Sequence, residues 1–217
     1  MPLPATGERH TTFDRMDMPN PTHLYDLLES RWENIADGFA AVWAEGLTVE
    51  ETARRLGADP AGATELTLED IGLGFEGDEM PGDEDGIILV GPCDAWTLAV
   101  QVQWMDVTEE PRLSELSRDG GRAIAIGWHG DGAHRVEYAI DGRLTFSAPL
   151  EEILDPLHEY AEGLRMPTDW DVPVDVGSPT EEMITTALTA IGRLTGRELD
   201  EEWLETPHVR YLIRRTR

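Results

Sequence analysis

The segment WTLAVQVQW, residues 96–104, sets Trp96, Leu98, Val100, Val102 and Trp104 on one side and Thr97, Ala99, Gln101 and Gln103 on the other. Successive side chains leave opposite faces of the pleat, so strict alternation of apolar and polar residues predicts a β-strand with one buried face. The same period extends in both directions. GIILVG precedes it, with a strand expected at 87–90, and RAIAIGW (122–128), HRVEYAI (134–140) and RLTFSA (143–148) follow. Between the last two, Asp141-Gly142 is a hairpin signal, since a type I′ turn needs positive φ at both positions. EEPRLSELSRDGG (109–121) reads as a short helix inserted between strands.

Outside this stretch the period becomes helical. Asn20-Pro21 supplies a cap and a first-turn proline, and Leu24, Leu28, Trp32, Ile35, Phe39 and Val42 then recur at three- and four-residue spacing. This predicts one amphipathic helix over 21–45, ended near Gly46 and packed on the apolar face of the sheet. Thr48 and Glu51 form a capping box for a second helix through Leu56, stopped by Gly57 and Pro60. Residues 61–86 hold a further short helical pattern and then the acidic loop EGDEMPGDEDG. Helices are expected again from Glu151 to Leu164, Ser178 to Leu194 and Asp200 to Leu204. The fold class is therefore α+β, a single antiparallel sheet of about five strands flanked by N- and C-terminal helices. Residues 1–19 read as a flexible tail and 20–217 as one domain. The expected core includes Trp32, Phe39, Trp96, Leu98, Val100, Ile124, Ile126 and Tyr138.

The charge bounds the function classes. Of 217 residues, 44 are acidic and 17 basic, every basic one an arginine, for a net charge of −27. Such a balance repels phosphate backbones and anionic membranes and favours cationic partners, although GC-rich coding bias would also produce an all-arginine, acid-rich composition. Cys93 is alone, so no intrachain disulfide forms. The first 20 residues hold no apolar run, and no stretch reaches the ~18 apolar residues of a membrane span. A cytoplasmic protein is expected.

Several short patterns invite a chemical reading. LTVEETARRLGADPAG (47–62) looks like the front of a helix-turn-helix, but the residues after it offer Glu and Asp where a recognition helix carries Arg, Lys, Asn or Gln. Gly72-Leu73-Gly74-Phe75-Glu76-Gly77 matches G-x-G-x-x-G without a convincing strand before it or a helix after it. An EF-hand register on Gly86 puts Pro81 at its first position and Pro92 at its twelfth, so that spacing fails. His129 and His134 flank GDGA with Asp131 between them, two imidazoles and a carboxylate that suit zinc or proton transfer, while catalytic zinc generally takes three protein ligands. His158 and His208 join them only through the fold. Cys93 lies beside Asp94 ahead of a strand, a poor setting for a reactive thiolate.

The middle of the chain resembles an actinobacterial family of small proteins known mainly as a domain of unknown function. Trp96 leads the strand, Gly120-Gly121-Arg122-Ala123 closes the helix, and the Asp141-Gly142 hairpin runs out into Pro149-Leu150. GLTVEETARRLGAD and AIGRLTGREL also fit, so the likeness covers roughly residues 30–205. It implies that the 47–62 helix belongs to this fold rather than to a DNA reader, and it implies no activity. WHGDGAHR departs from the Asn-rich turns of the family pattern, which speaks against a shared role for the two histidines. Two functions are expected to compete. One is a non-catalytic acidic module of inhibitor, immunity or regulatory type, acting on a basic protein partner through Glu76, Asp78, Glu79, Asp83, Glu84 and Asp85, with no cofactor and no nucleic-acid or membrane partner. The alternative is a small metal-dependent or hydrolytic enzyme using His129, Asp131 and His134.

Overall fold

The run GFAAVWAE, Gly38–Glu45, is a strand (β1), although its neighbours carry a helical spacing. Phe39, Ala41 and Trp43 point to one side and Ala40, Val42 and Ala44 to the other, and none of the six exceeds 1% exposure. A strand buried on both faces loses the polar half of the alternation. The computed structural model describes residues 23–32, 34–74, 85–102, 104–130, 132, 134–150, 157–164 and 179–214. The expected tail over 1–19 lies outside them.

Helix α1 spans Leu24–Glu29, and a 3₁₀ turn at Ile35–Asp37 leads into β1. Helix α2 (Val49–Arg55), strand β2 (Ala58–Leu66) and helix α3 (Leu68–Gly74) follow. Strands β3 (Asp85–Cys93) and β4 (Trp96–Val102) lead to a second 3₁₀ turn, Asp106–Thr108, and helix α4 (Glu110–Ser117). Strands β5 (Arg122–His129), β6 (His134–Ile140) and β7 (Arg143–Pro149) form a meander. A third 3₁₀ turn (His158–Tyr160), helices α5 (Pro179–Thr195) and α6 (Glu201–Glu205), and strand β8 (His208–Arg214) complete the described elements.

The strands lie side by side in the order β2-β8-β3-β4-β1-β5-β6-β7. Every neighbouring pair is antiparallel. One face carries Trp43, Leu89, Leu98, Ile124, Ile126 and Trp128 under α1, α3, α5 and α6. The other is mostly small, with Ala40, Ala44, Ala99, Ala123, Ala125 and Ala139 beneath Leu56 at the end of α2 and Leu113 and Leu116 of α4. Alanine lets a helix approach a pleated surface closely, so the second layer sits tight. The polar residues of β4 on this face are enclosed too. Gln101 is fully buried, its amide donating to Asp106 at 2.7 Å and its carbonyl accepting from the Val107 N–H at 3.1 Å. Thr97 donates to the Leu47 carbonyl.

Four expectations are corrected. The sheet has eight described strands rather than about five, because β1, β2 and β8 join it. The 21–45 helix ends at Glu29, and its second half is the strand at the sheet's centre. β4 is buried on both faces, since helices cover each. Helices therefore sandwich the sheet instead of merely flanking it. Of the 151–164 helix, the described part holds only a short turn around His158–Tyr160. The class remains mixed α and β, the Asp141-Gly142 hairpin has φ of 51° and 74° as a type I′ turn requires, and the expected core residues are buried except Tyr138, which is half-buried.

The enclosure of Gln101 has a measurable cost. Gln101→Ala withdraws the partner of the Val107 N–H and one partner of Asp106, and should lower unfolding stability by about 1–3 kcal/mol in a denaturant titration. A loss of a few tenths would mean that water reaches this face.

Candidate functional site

The 47–62 segment is a capped helix leading to a strand. Thr48 accepts from the Glu51 N–H at 3.2 Å, realising the cap, and β2 follows where a recognition helix would have to stand. Its paired arginines serve the fold. Arg54 and Arg55 both bind the Glu51 carboxylate at 2.6 Å, and these hydrogen bonds hold that carboxyl down to about 2. The Arg55 side chain is 9% exposed, and it also donates to the carbonyls of Glu115, Leu116 and Arg118 at 3.0–3.4 Å. Those carbonyls end α4 and have no partner within the helix, so Arg55 ties α2 to the end of α4.

Other arginines follow the same rule. Arg31 reaches Glu201 and Glu205 of α6 at 2.6 Å each, joining the chain after α1 to α6. Arg112 donates to the carbonyls of Leu56 and Arg214, and Arg193 to those of Tyr160 and Glu162. Arg122 forms a two-pronged pair with Glu45, its guanidinium 5.2 Å from the Trp96 ring, and this hydrogen bonding lowers the Glu45 pKa. Arg197 holds Asp200, the residue that caps α6 through the Trp203 N–H at 2.7 Å. The guanidiniums join elements of the fold, and the acidic surplus remains without an equal countercharge.

Glu76, Asp78, Glu79, Asp83 and Glu84 lie outside the described residues. Asp85 opens β3, where it is registered opposite Arg214 of β8. The segment thus runs from the end of α3 at Gly74 to the start of β3. Gly72 and Gly74 fall in the last turn of α3, whereas a dinucleotide fingerprint needs its glycines at the helix start.

The two hairpin histidines separate. His134 is registered opposite Trp128, so the two share a face of the sheet. His129 is the next residue along β5 and projects from the other face. Asp131 lies outside the described residues. His158 is exposed on its 3₁₀ turn and His208 is buried. Among the described residues no group of three His, Cys, Asp or Glu side chains is placed to hold a metal. Cys93 is 2% exposed, and burial pushes its thiol up, away from the thiolate that nucleophilic chemistry needs.

One carboxylate escaped the sequence reading. Glu137 of β6 accepts from Ser147 of β7 at 3.0 Å and faces Arg135 at 3.4 Å, and its other oxygen is buried with no partner. Burial raises its pKa, outweighing the half-exposed Arg135. Its place between Val136 and Tyr138 in a strand pattern reads as an ordinary outward residue, so the sequence carried no signal for it. No family model, curated protein or solved structure matches the chain. No helix of the described residues is long and apolar enough to cross a membrane.

Two variants check these assignments. Arg55→Ala strips three carbonyls at the end of α4 of a charged donor and should cost about 1–3 kcal/mol in denaturation; a change within a few tenths would remove the arginine from its structural role. For Glu137 the sign is opposite. Its folded pKa lies above the unfolded value, so the native state holds the extra proton and stability falls as pH rises from the ordinary carboxylate range through the folded pKa. Glu137→Gln should therefore melt higher than the wild type at neutral pH, the gap closing towards about pH 4. A variant that melts lower at neutral pH would mean that the charge is needed.

Proposed function

We propose that the protein is a non-catalytic acidic binding module, of inhibitor, immunity or regulatory type, that engages a basic protein partner. One observation carries this reading: arginines across the fold are spent on the chain's own carboxylates and backbone carbonyls, against a net charge of −27. The field outside the molecule is that of the carboxylates, which steers cations and slows the approach of phosphates. Glu76, Asp78, Glu79, Asp83, Glu84 and Asp85 form the recognition element, the densest acidic run in the chain, tethered between α3 and β3. The reading includes a cytoplasmic setting, no cofactor, and no nucleic-acid or membrane partner.

The test uses a defined cation. An arginine-rich peptide is immobilised, and association is followed at low and at physiological salt for three proteins. These are the wild type, a variant with the six segment acids changed to Asn or Gln, and a control with six exposed acids neutralised elsewhere, including Glu29, Glu65 and Glu69. The segment variant should associate roughly tenfold more slowly than wild type at low salt, and the control should stay close to wild type. Equal slowing in both variants, or none in either, would remove the segment as a recognition element. Duplex DNA should give no gel shift at physiological salt, and a steeply salt-dependent shift at micromolar protein would contradict the reading.

A further inference from the structure

We propose that His208 is an acid-sensitive latch that locks the α6–β8 segment onto the sheet. It uses none of the acidic segment's residues. His208 opens β8 and is 5% exposed. Its ring lies over Gly91 of β3, where a Cβ would stand 2.6 Å from Cε1 and closer still to Nδ1, so the slot exists because the residue beneath is glycine. Nε2 lies 2.8 Å from the Trp203 carbonyl, an acceptor, and therefore carries the proton of the neutral ring. The imidazole stacks on the Trp203 indole at 4.0 Å between centroids and 26° between planes, and the indole N–H donates to the Pro92 carbonyl at 3.2 Å. Helix, turn and two strands thus close around one imidazole.

The slot suits the neutral ring and opposes the cation. A second proton would go on Nδ1, against Gly91 and away from water. The charge that acts on the ring is the Arg197 guanidinium, which repels a cation and itself holds Asp200 and Glu202; Arg210 follows two residues on along β8. Cys93, on the same face of β3, carries a thiol that burial keeps protonated, and β2 sets Leu66 across from the histidine. The indole face would attract an imidazolium, but enclosure acts the other way, and burial lowers the His208 pKa. The sign follows. An opened segment binds the proton more readily than the closed one, so closure is complete above the ordinary histidine value of about 6.5 and is lost as pH falls below it, by up to about tenfold in the opening constant per pH unit.

Amide hydrogen exchange on the full chain tests the latch, each rate taken relative to its intrinsic rate at the same pH. Protection at Trp203, Leu204 and Val209 should fall up to about tenfold per unit from about pH 6.5 downwards, while β1 amides keep theirs. His208→Gln, which retains a donor for the Trp203 carbonyl without a titrating ring, should flatten this dependence. His208→Phe, which retains a ring for the stack, should flatten it as well. Flat protection in the wild type, an equal fall in both variants, or a fall shared with β1 would overturn the proposal.

Discussion

The structure depends on the double burial of β1. Its backbone is satisfied on both edges, by β4 through pairs such as Ala41 with Val100 and by β5 through pairs such as Ala41 with Ile126. Its side chains fill two cores at once, so both faces need a helical cover. The first face meets that need with bulk: Phe39 stacks on Trp128 at 4.6 Å, and the Trp128 N–H is satisfied by the Ile35 carbonyl at 2.8 Å. The second meets it with smallness, a floor of alanines under α2 and α4. Either cover removed would expose apolar area at the centre of the sheet, where hydrophobic burial contributes most.

Apart from the 17-residue α5, the covering helices are short, and this creates a second constraint. Helices of five to eight residues, such as α6 and α4, have few internal hydrogen bonds and many unpaired end groups. The chain meets this with arginine, whose planar fork serves several acceptors together. Arg55 and Arg112 reach backbone carbonyls across the second layer, as Arg193 does in the first. Surface ion pairs alone add little stability, so the contacts that matter most are those to the part-buried carbonyls of Leu56, Leu116 and Arg118. The electrostatic consequence is outward: cations committed to the scaffold leave the acidic surplus unopposed.

Much of the central sheet was legible because β4 to β7 keep a two-residue period and Asp141-Gly142 names its own turn. β1 was not, for a physical reason. Leu24, Leu28 and Ile35 do lie on helical turns, and Phe39 and Val42 continue their spacing by coincidence. A strand apolar on both faces has no period of its own, and alanine favours helix when judged locally. Gln101 misled in the opposite sense, since a buried amide with every contact satisfied looks like a solvent-facing one. β2 carries Pro60 at an irregularity between Asp59 and Thr64, next to β8, so a breaker signal stood where an outer strand tolerates one. β8 is missing from the expected strands although its pattern is a plain one, Val209, Tyr211 and Ile213 alternating with His208, Arg210 and Leu212. Of the site candidates, the facing of His129 and His134 followed from strand register, which spacing in the sequence does not specify. The buried settings of Glu137 and His208 depend on neighbours distant in the chain.

Backbone NMR of residues 38–45 addresses the double burial of β1 most directly. It predicts close contacts from Ala41 to both Val100 and Ile126, and amide exchange in β1 among the slowest of the molecule. Contacts between residues three and four apart running unbroken from Leu24 to Val42, with fast exchange at the sheet centre, would contradict it and restore a helix there.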